Sequence, residues 1–92
     1  MDRYIGQKAQ QALEALTTDS SLEQRLKEAR MHLSSVTGTH FLQSASTQVQ
    51  QHLVAVSDIA DNEPLPDVAC KIREAIETIF EQWGREHPNE VA

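Results

Sequence analysis

The feature that most constrains the fold is the spacing of the apolar residues, which recur every three or four positions and in no segment alternate. This is the spacing of a helix with one buried face, whereas a half-buried strand has apolar residues at every second position. The clearest case is the segment that ends at Trp83, with apolar residues at Ala69, Ile72, Ile76 and Ile79. The pattern predicts an all-α protein.

Four segments of the chain have this spacing, separated by short polar or proline-containing stretches. The predicted helices lie at about residues 2–16, 20–37, 39–60 and 66–83. Because short connections favour antiparallel neighbours, we expect a small antiparallel four-helix bundle. The alternative is a three-helix core with a loosely packed first helix. Residues 1–86 are predicted to form a single domain, and residues 87–92 a flexible C-terminal tail.

Residues at the predicted helix ends support these boundaries. Ser20 and Glu23 match a Ser-x-x-Glu capping box at the start of the second helix, although Thr18 or Asp19 could provide the cap instead. Gly38 is suited to ending that helix in a left-handed conformation.

The fourth helix has two further boundary signals. Pro66 suits its first position, because the missing N–H of proline is not needed there. Gly84 is predicted to end it.

Length and cysteine content suggest where such a protein works. The chain has 92 residues, enough for one domain, and its single cysteine, Cys70, excludes an intrachain disulfide. The first residues lack the apolar core of a secretory signal, and the longest apolar run, residues 53–56, is far shorter than the ~20 residues of a membrane span. We therefore expect a cytoplasmic protein that does not enter the membrane.

Charge and motifs argue against several functions. The net charge is −6, from 14 acidic and 8 basic residues, and an acidic domain is repelled by phosphate backbones, so no nucleic-acid partner is expected. The sequence contains no Glu-x-x-His, no His-Glu-x-x-His, no Gly-x-Ser-x-Gly and no glycine-rich phosphate loop. We expect no metal, no cofactor and no enzymatic activity.

The most unusual feature is a long stretch without fixed charge. No Asp, Glu, Lys or Arg occurs between Arg30 and Asp58, although these residues make up 24% of the chain. A solvent-facing helix normally carries Lys and Glu, whereas depletion of charge is typical of interface cores. The third helix is therefore predicted to contact a protein partner or a second copy, unless it is enclosed by its neighbours or uncharged by chance. The predicted contact residues are Phe41, Gln43, Thr47, Gln50, Gln51 and Val54.

Two short motifs suggest alternatives. Arg25 and His32, with six residues between them, are similar to the Arg-x(4–6)-His motif of HEPN-type ribonucleases, which are helical and dimeric. That resemblance implies that Arg25 binds a phosphate and His32 assists proton transfer. The polar residue that commonly follows the arginine in that family is absent, and Leu26 occupies its position.

The second motif, Asp19-Ser20-Ser21-Leu22, resembles the Asp-Ser-Leu of acyl carrier proteins, which are small acidic four-helix domains. The resemblance implies phosphopantetheine on Ser20. Here a second serine intervenes, and the long first loop of that family is missing.

Cys70 lies in the first turn of the fourth helix, in an acidic stripe with Asp67, Glu74, Glu77 and Glu81. The helix dipole would favour its thiolate, whereas the carboxylates would oppose it. The main prediction is a helical interaction or regulatory protein that acts through its uncharged third helix.

Overall fold

The computed structural model describes residues 1–88, and in that range it contains five α-helices and no strand. The predicted all-α class is confirmed. The helices are α1 (Arg3–Leu16), α2 (Leu22–Ser34), α3 (Thr39–Gln43), α4 (Thr47–Ser57) and α5 (Leu65–Glu86).

The largest departure from the prediction is in the third segment. One helix is predicted over residues 39–60, but α3 and α4 are separate and are interrupted at residues 44–46. Ser46 is extended (φ −64°, ψ 161°), and its Oγ accepts a hydrogen bond from Val49 N as the N-cap of α4. Serine side chains compete with the helical backbone for hydrogen bonds, which favours such an interruption.

The second helix is shorter than predicted at both ends. Its N-cap is Ser21 rather than Ser20, and Ser21 Oγ accepts a hydrogen bond from Gln24 N at 3.2 Å. The capping motif is therefore displaced by one residue from the predicted Ser20–Glu23 pair. Gly38 does not end α2 in a left-handed conformation, because its φ is −66° and it is the N-cap of α3.

The last helix continues past the predicted stop at Gly84 and ends at Glu86. His87 N donates to Trp83 O at 2.9 Å, and the His87 ring stacks on the Trp83 indole with centroids 3.9 Å apart. This contact extends the helix through the glycine. Of the predicted tail, residues 89–92 lie outside the described range.

The core is formed by helices that pack pairwise. Helix α1 packs against α2 and α5, α4 packs against the same two helices, and α2 also contacts α5. The first helix is part of this core, contrary to the three-helix alternative, because Ile5, Ala9 and Ala12 are completely buried. The other helices contribute, among others, Leu33, Val49, Leu53, Ile72 and Ile79.

A glycine allows α1 to approach α5 closely. A Cβ atom at Gly6 would lie 3.2 Å from Cε3 of Trp83, closer than about nine in ten contacts of real Cβ atoms. Since Gly6 has no side chain, the indole packs directly on the backbone of α1. The same indole stacks on His87, so the ends of the two helices are held together here.

The two ends of the described chain meet at a hydrogen-bonded group. The Met1 amino group donates to Glu86 Oε1 at 2.8 Å, and Gln82 Nε2 donates to Glu86 Oε2 at 2.7 Å. The hydrogen bonds from the Met1 amino group and from Gln82 hold the pKa of Glu86 below its ordinary value.

This pKa shift predicts a pH-dependent stability. Glu86→Gln should lower the free energy of unfolding at pH 6, because it removes the ion pair with the Met1 amino group. The loss should be only about 0.5 kcal/mol, because Glu86 is partly exposed and solvent screens the pair. A lowered folded-state pKa gives stability that is present above the ordinary carboxyl pKa and is lost as the pH falls through the folded value. The difference between natural chain and variant, measured by urea denaturation, should therefore shrink below about pH 4.

The matched control is Glu81→Gln, in the same helix, because Glu81 is exposed and no residue of 1–88 forms a hydrogen bond with its side chain. A Glu86→Gln effect that equals the control, or that stays constant from pH 6 to pH 3, would contradict the prediction.

Candidate functional site

The uncharged stretch contributes exposed residues from three successive helices to the surface. We call its exposed members the uncharged surface, and they are Met31, Ser35, Gly38, Thr39, His40, Gln43, Thr47, Gln48, Gln51, Val54 and Ser57. They lie at the end of α2, on α3 and on α4. Helices α2 and α4 pack against each other, and α3 lies between them in the chain.

Four of the six predicted contact residues belong to the uncharged surface. Gln43, Thr47 and Gln51 are exposed, and Val54 keeps 43% of its surface accessible. Val54 therefore retains accessible apolar area on this surface.

The other two predicted contact residues have roles within the chain. Phe41 is half-buried against the core, and its ring stacks on Tyr4 with centroids 5.6 Å apart. Gln50 is also half-buried, and its Nε2 donates to Leu42 O at 2.7 Å and to Ala45 O at 3.0 Å. Substitution of either residue would disturb the fold as well as any contact.

Met31 was missed by the sequence reasoning, which considered only the third segment. It is 61% exposed, the largest exposure among the large apolar side chains within residues 1–88. Its position could have been found from the sequence. The buried positions of α2 are Leu26, Ala29 and Leu33, and Met31 falls on the opposite face of that helix.

The carboxylate of Asp2 lies at the edge of the uncharged surface, beside His40. Asp2 Oδ2 lies 3.3 Å from His40 Nε2, and the His40 ring contacts Phe41 edge-on with centroids 5.4 Å apart. His40 itself is 81% exposed, so this corner of the surface is accessible to solvent.

Arg25 and His32, which suggested a ribonuclease, both lie on α2 and are half-buried. Arg25 Nη1 donates to Leu16 O, the last residue of α1, at 3.4 Å. A cation at the carboxyl end of a helix stabilises it through the helix dipole and by satisfying a free carbonyl. The arginine therefore has a structural role at the α1–α2 connection.

Ser20, which suggested a carrier protein, is exposed in the connection between α1 and α2. Its Oγ lies 3.1 Å from the hydroxyl of Thr18. The neighbouring Ser21 caps α2, so the backbone does not need the Ser20 hydroxyl as a cap.

Cys70 donates its thiol proton to Glu74 Oε1 at 3.4 Å. This hydrogen bond, together with the negative charge of Glu74, raises the pKa of the Cys70 thiol above its ordinary value. A raised pKa leaves little thiolate at neutral pH, so the thiol is a poor nucleophile there. Within residues 1–88, no group of three or more potential metal ligands comes together.

An open groove of about 810 Å³ lies between α1 and α5. Phe80 and Trp83 contribute its aromatic part, and Gln7, Gln10 and Gln11 line it from α1. Small-molecule sites are usually enclosed and have a few converging polar groups. This groove is broad and lies open to solvent.

No protein family model, curated protein or solved structure matches this chain. Between Met1 and Pro88, none of the helices has the length and apolar composition that crossing a bilayer requires.

The structural role of Arg25 can be measured. Arg25→Ala should lower the free energy of unfolding by about 0.5–1 kcal/mol, because the last carbonyl of α1 loses its hydrogen bond and a favourable charge. Lys27→Ala removes the same charge from an exposed position of the same helix and should change stability by less than about 0.5 kcal/mol. Equal effects of both substitutions in urea denaturation would contradict this role.

The raised pKa of Cys70 predicts slow alkylation. Glu74→Gln should increase the rate of reaction with iodoacetamide at pH 8 by about two- to fivefold, because a lower thiol pKa gives more thiolate. Glu81→Gln removes a charge farther along the same helix and serves as the control. An unchanged rate in Glu74→Gln would show that the carboxylate does not control the thiol.

Proposed function

We propose that this chain is a small, non-enzymatic, cytoplasmic interaction protein, and that the uncharged surface contacts a protein partner, in the first instance a second copy. The absence of charge on exposed positions from Met31 to Ser57 is the observation that carries this proposal. Charged side chains are costly to desolvate, so their absence is most useful on a surface that becomes covered.

The distribution of charge favours a second copy as the partner. The chain has a net charge of −6, so two copies repel each other over most of their surfaces. The uncharged surface is where they could approach with the least repulsion. Met31 and Val54 provide apolar area there.

The core is a second reason to expect association. Several of its members are alanines, namely Ala9, Ala12, Ala15, Ala29 and Ala75. A core of small side chains buries little apolar area for each residue that is ordered, and small domains commonly gain stability by oligomerisation.

We also propose that α1, α2, α4 and α5 form an antiparallel up-down-up-down bundle. The Met1–Glu86 contact joins the start of α1 to the end of α5, and Ser46 N donates to Gln82 Oε1, which joins the start of α4 to the same end. The Arg25–Leu16 contact joins the end of α1 to the first half of α2. These three contacts support opposite directions for neighbouring helices.

The test of self-association is light scattering coupled to size exclusion over a wide concentration range. Gln51→Glu combined with Val54→Glu should weaken the dimer at least about tenfold, because like charges would face each other across the contact. Gln50 is left unchanged, although it is a predicted contact residue, because its side chain bonds to the backbone of its own chain.

The chain offers a matched control. Gln11→Glu combined with Leu13→Glu adds the same charge to α1, where Leu13 is 40% exposed compared with 43% for Val54. The control should leave the dimer unchanged. A natural chain that is monomeric at every concentration contradicts self-association, and equal weakening by both pairs contradicts the assignment of the surface.

The ribonuclease and the carrier protein remain alternatives from other classes. Cleavage of RNA that is lost in both Arg25→Ala and His32→Ala would favour the first. Attachment of phosphopantetheine to Ser20, detected by mass spectrometry of the intact protein, would favour the second.

A further inference from the structure

The interruption between α3 and α4 is the place where the structure departs most from its sequence pattern. In a continuous helix, Ser46 N would donate to Leu42 O and Val49 N would donate to Ala45 O. Neither bond forms, so four backbone groups need other partners.

Side chains bond to all four groups, and Leu42 O also accepts a backbone hydrogen bond from Ala45 N at 3.1 Å. Ser46 N donates to Gln82 Oε1 at 2.9 Å, and Val49 N donates to the Oγ of Ser46 at 3.3 Å. The two carbonyls, Leu42 O and Ala45 O, both accept from Gln50 Nε2. Two further N–H groups of the interruption belong to residues 47 and 48, which are exposed and accessible to water.

The local sequence does not require the interruption. No proline or glycine occurs from residue 39 to residue 57, and the apolar spacing continues through the break in a single helical register. The buried or half-buried positions of that register are Leu42, Ala45, Val49, Leu53 and Val56. The same segment is therefore suited to one straight helix.

One of the substitute hydrogen bonds comes from another helix. Gln82 is in α5, is only 7% exposed, and donates from its Nε2 to Glu86. A straight helix would satisfy Ser46 N internally, whereas the bent form depends on Gln82 for that bond.

We propose that residues 44–46 are a two-state joint, bent in this structure, and that in the second state α3 and α4 form one continuous helix over residues 39–57. The hydrogen bond from Ser46 N to Gln82 Oε1 holds the bent state. Straightening breaks the contact of Asp2 N with Ser44 Oγ, which is 2.9 Å long here, and separates Phe41 from Tyr4. The joint is thereby coupled to the start of α1. This proposal does not depend on the proposed function.

Gln82→Met tests the joint. The variant keeps an unbranched side chain of similar length but leaves Ser46 N without its acceptor in the bent state only. The ratio of straight to bent molecules should rise about tenfold, because an unpaired, partly buried N–H is costly and the straight helix pairs it. The measurement is NMR, with relaxation dispersion at residues 44–49 and the Cα chemical shift of Ser46, which is extended in this structure and should have a helical shift in the second state.

Thr47→Pro provides a lock for the bent state. Residue 47 is the first residue of α4, where proline is favoured, and Ser46 already has the extended conformation required before proline. Proline at this position is incompatible with a continuous helix. Adding it to Gln82→Met should abolish the helical second state, whereas Thr47→Ala, which also removes the threonine, should not.

Gln50→Met is a milder second variant in case Gln82→Met does not fold. Gln50 is half-buried, so water can replace part of what is lost, and the shift should be in the same direction but smaller. The joint could straighten within one chain, or it could straighten as two copies exchange their α1–α3 segments. Both outcomes support the proposal, and light scattering distinguishes the monomer of the first from the dimer of the second. An extended Cα shift at Ser46 in both variants, without added dispersion, overturns the proposal, as does a second state that persists with Thr47→Pro.

Discussion

The side-chain amide of Gln82 is the interaction on which the arrangement of this end of the molecule depends. Its Oε1 accepts from Ser46 N and its Nε2 donates to Glu86, whose other oxygen accepts from the Met1 amino group. A buried amide is costly unless both its donor and its acceptor are paired, and here both are. Three segments that are distant in sequence are thereby fixed relative to one another, and the position of the α3–α4 break is fixed with them.

The rest of the core is rich in small side chains, so it buries little apolar area that could offset the loss of a polar contact. Alanines on α1, α2 and α5 allow the helix backbones to approach, and Gly6 allows Trp83 to lie directly on α1. Close packing of small side chains yields many weak contacts but little buried area per residue. Individual polar contacts such as those of Gln82 and Arg25 consequently matter more here than they would in a larger domain, and a further protein contact would add stability that the core alone does not provide.

The elements that could be predicted from the sequence are those that apolar spacing encodes directly. Leu33, Leu53 and Ile72 were expected to be buried and are, because each lies on a stripe that a single helix defines. Ser46 is able to cap a helix, but its presence alone does not predict the break at residues 44–46, because the break also uses Gln82, a partner 36 residues away whose contact no local pattern reveals. The extension of α5 through Gly84 has a similar cause, because the stacking of His87 on Trp83 sets the helix end.

The candidate site was also predicted only in part, because the sequence does not show which uncharged residues form hydrogen bonds within the chain. The structure shows this, and it thereby explains part of the lack of charge from residue 31 to residue 57. Gln50 and Ser46 are uncharged because they bond to backbone groups at the break, and a side-chain amide can donate to two carbonyls without burying a charge. That reason does not extend to Met31, Gln51 and Val54, which are exposed and whose side chains form no hydrogen bond within residues 1–88. The structure thus divides the uncharged stretch into a part explained by folding and a part that is not. The proposed contact surface depends on the second part alone, which is why the substitutions that test it are at Gln51 and Val54.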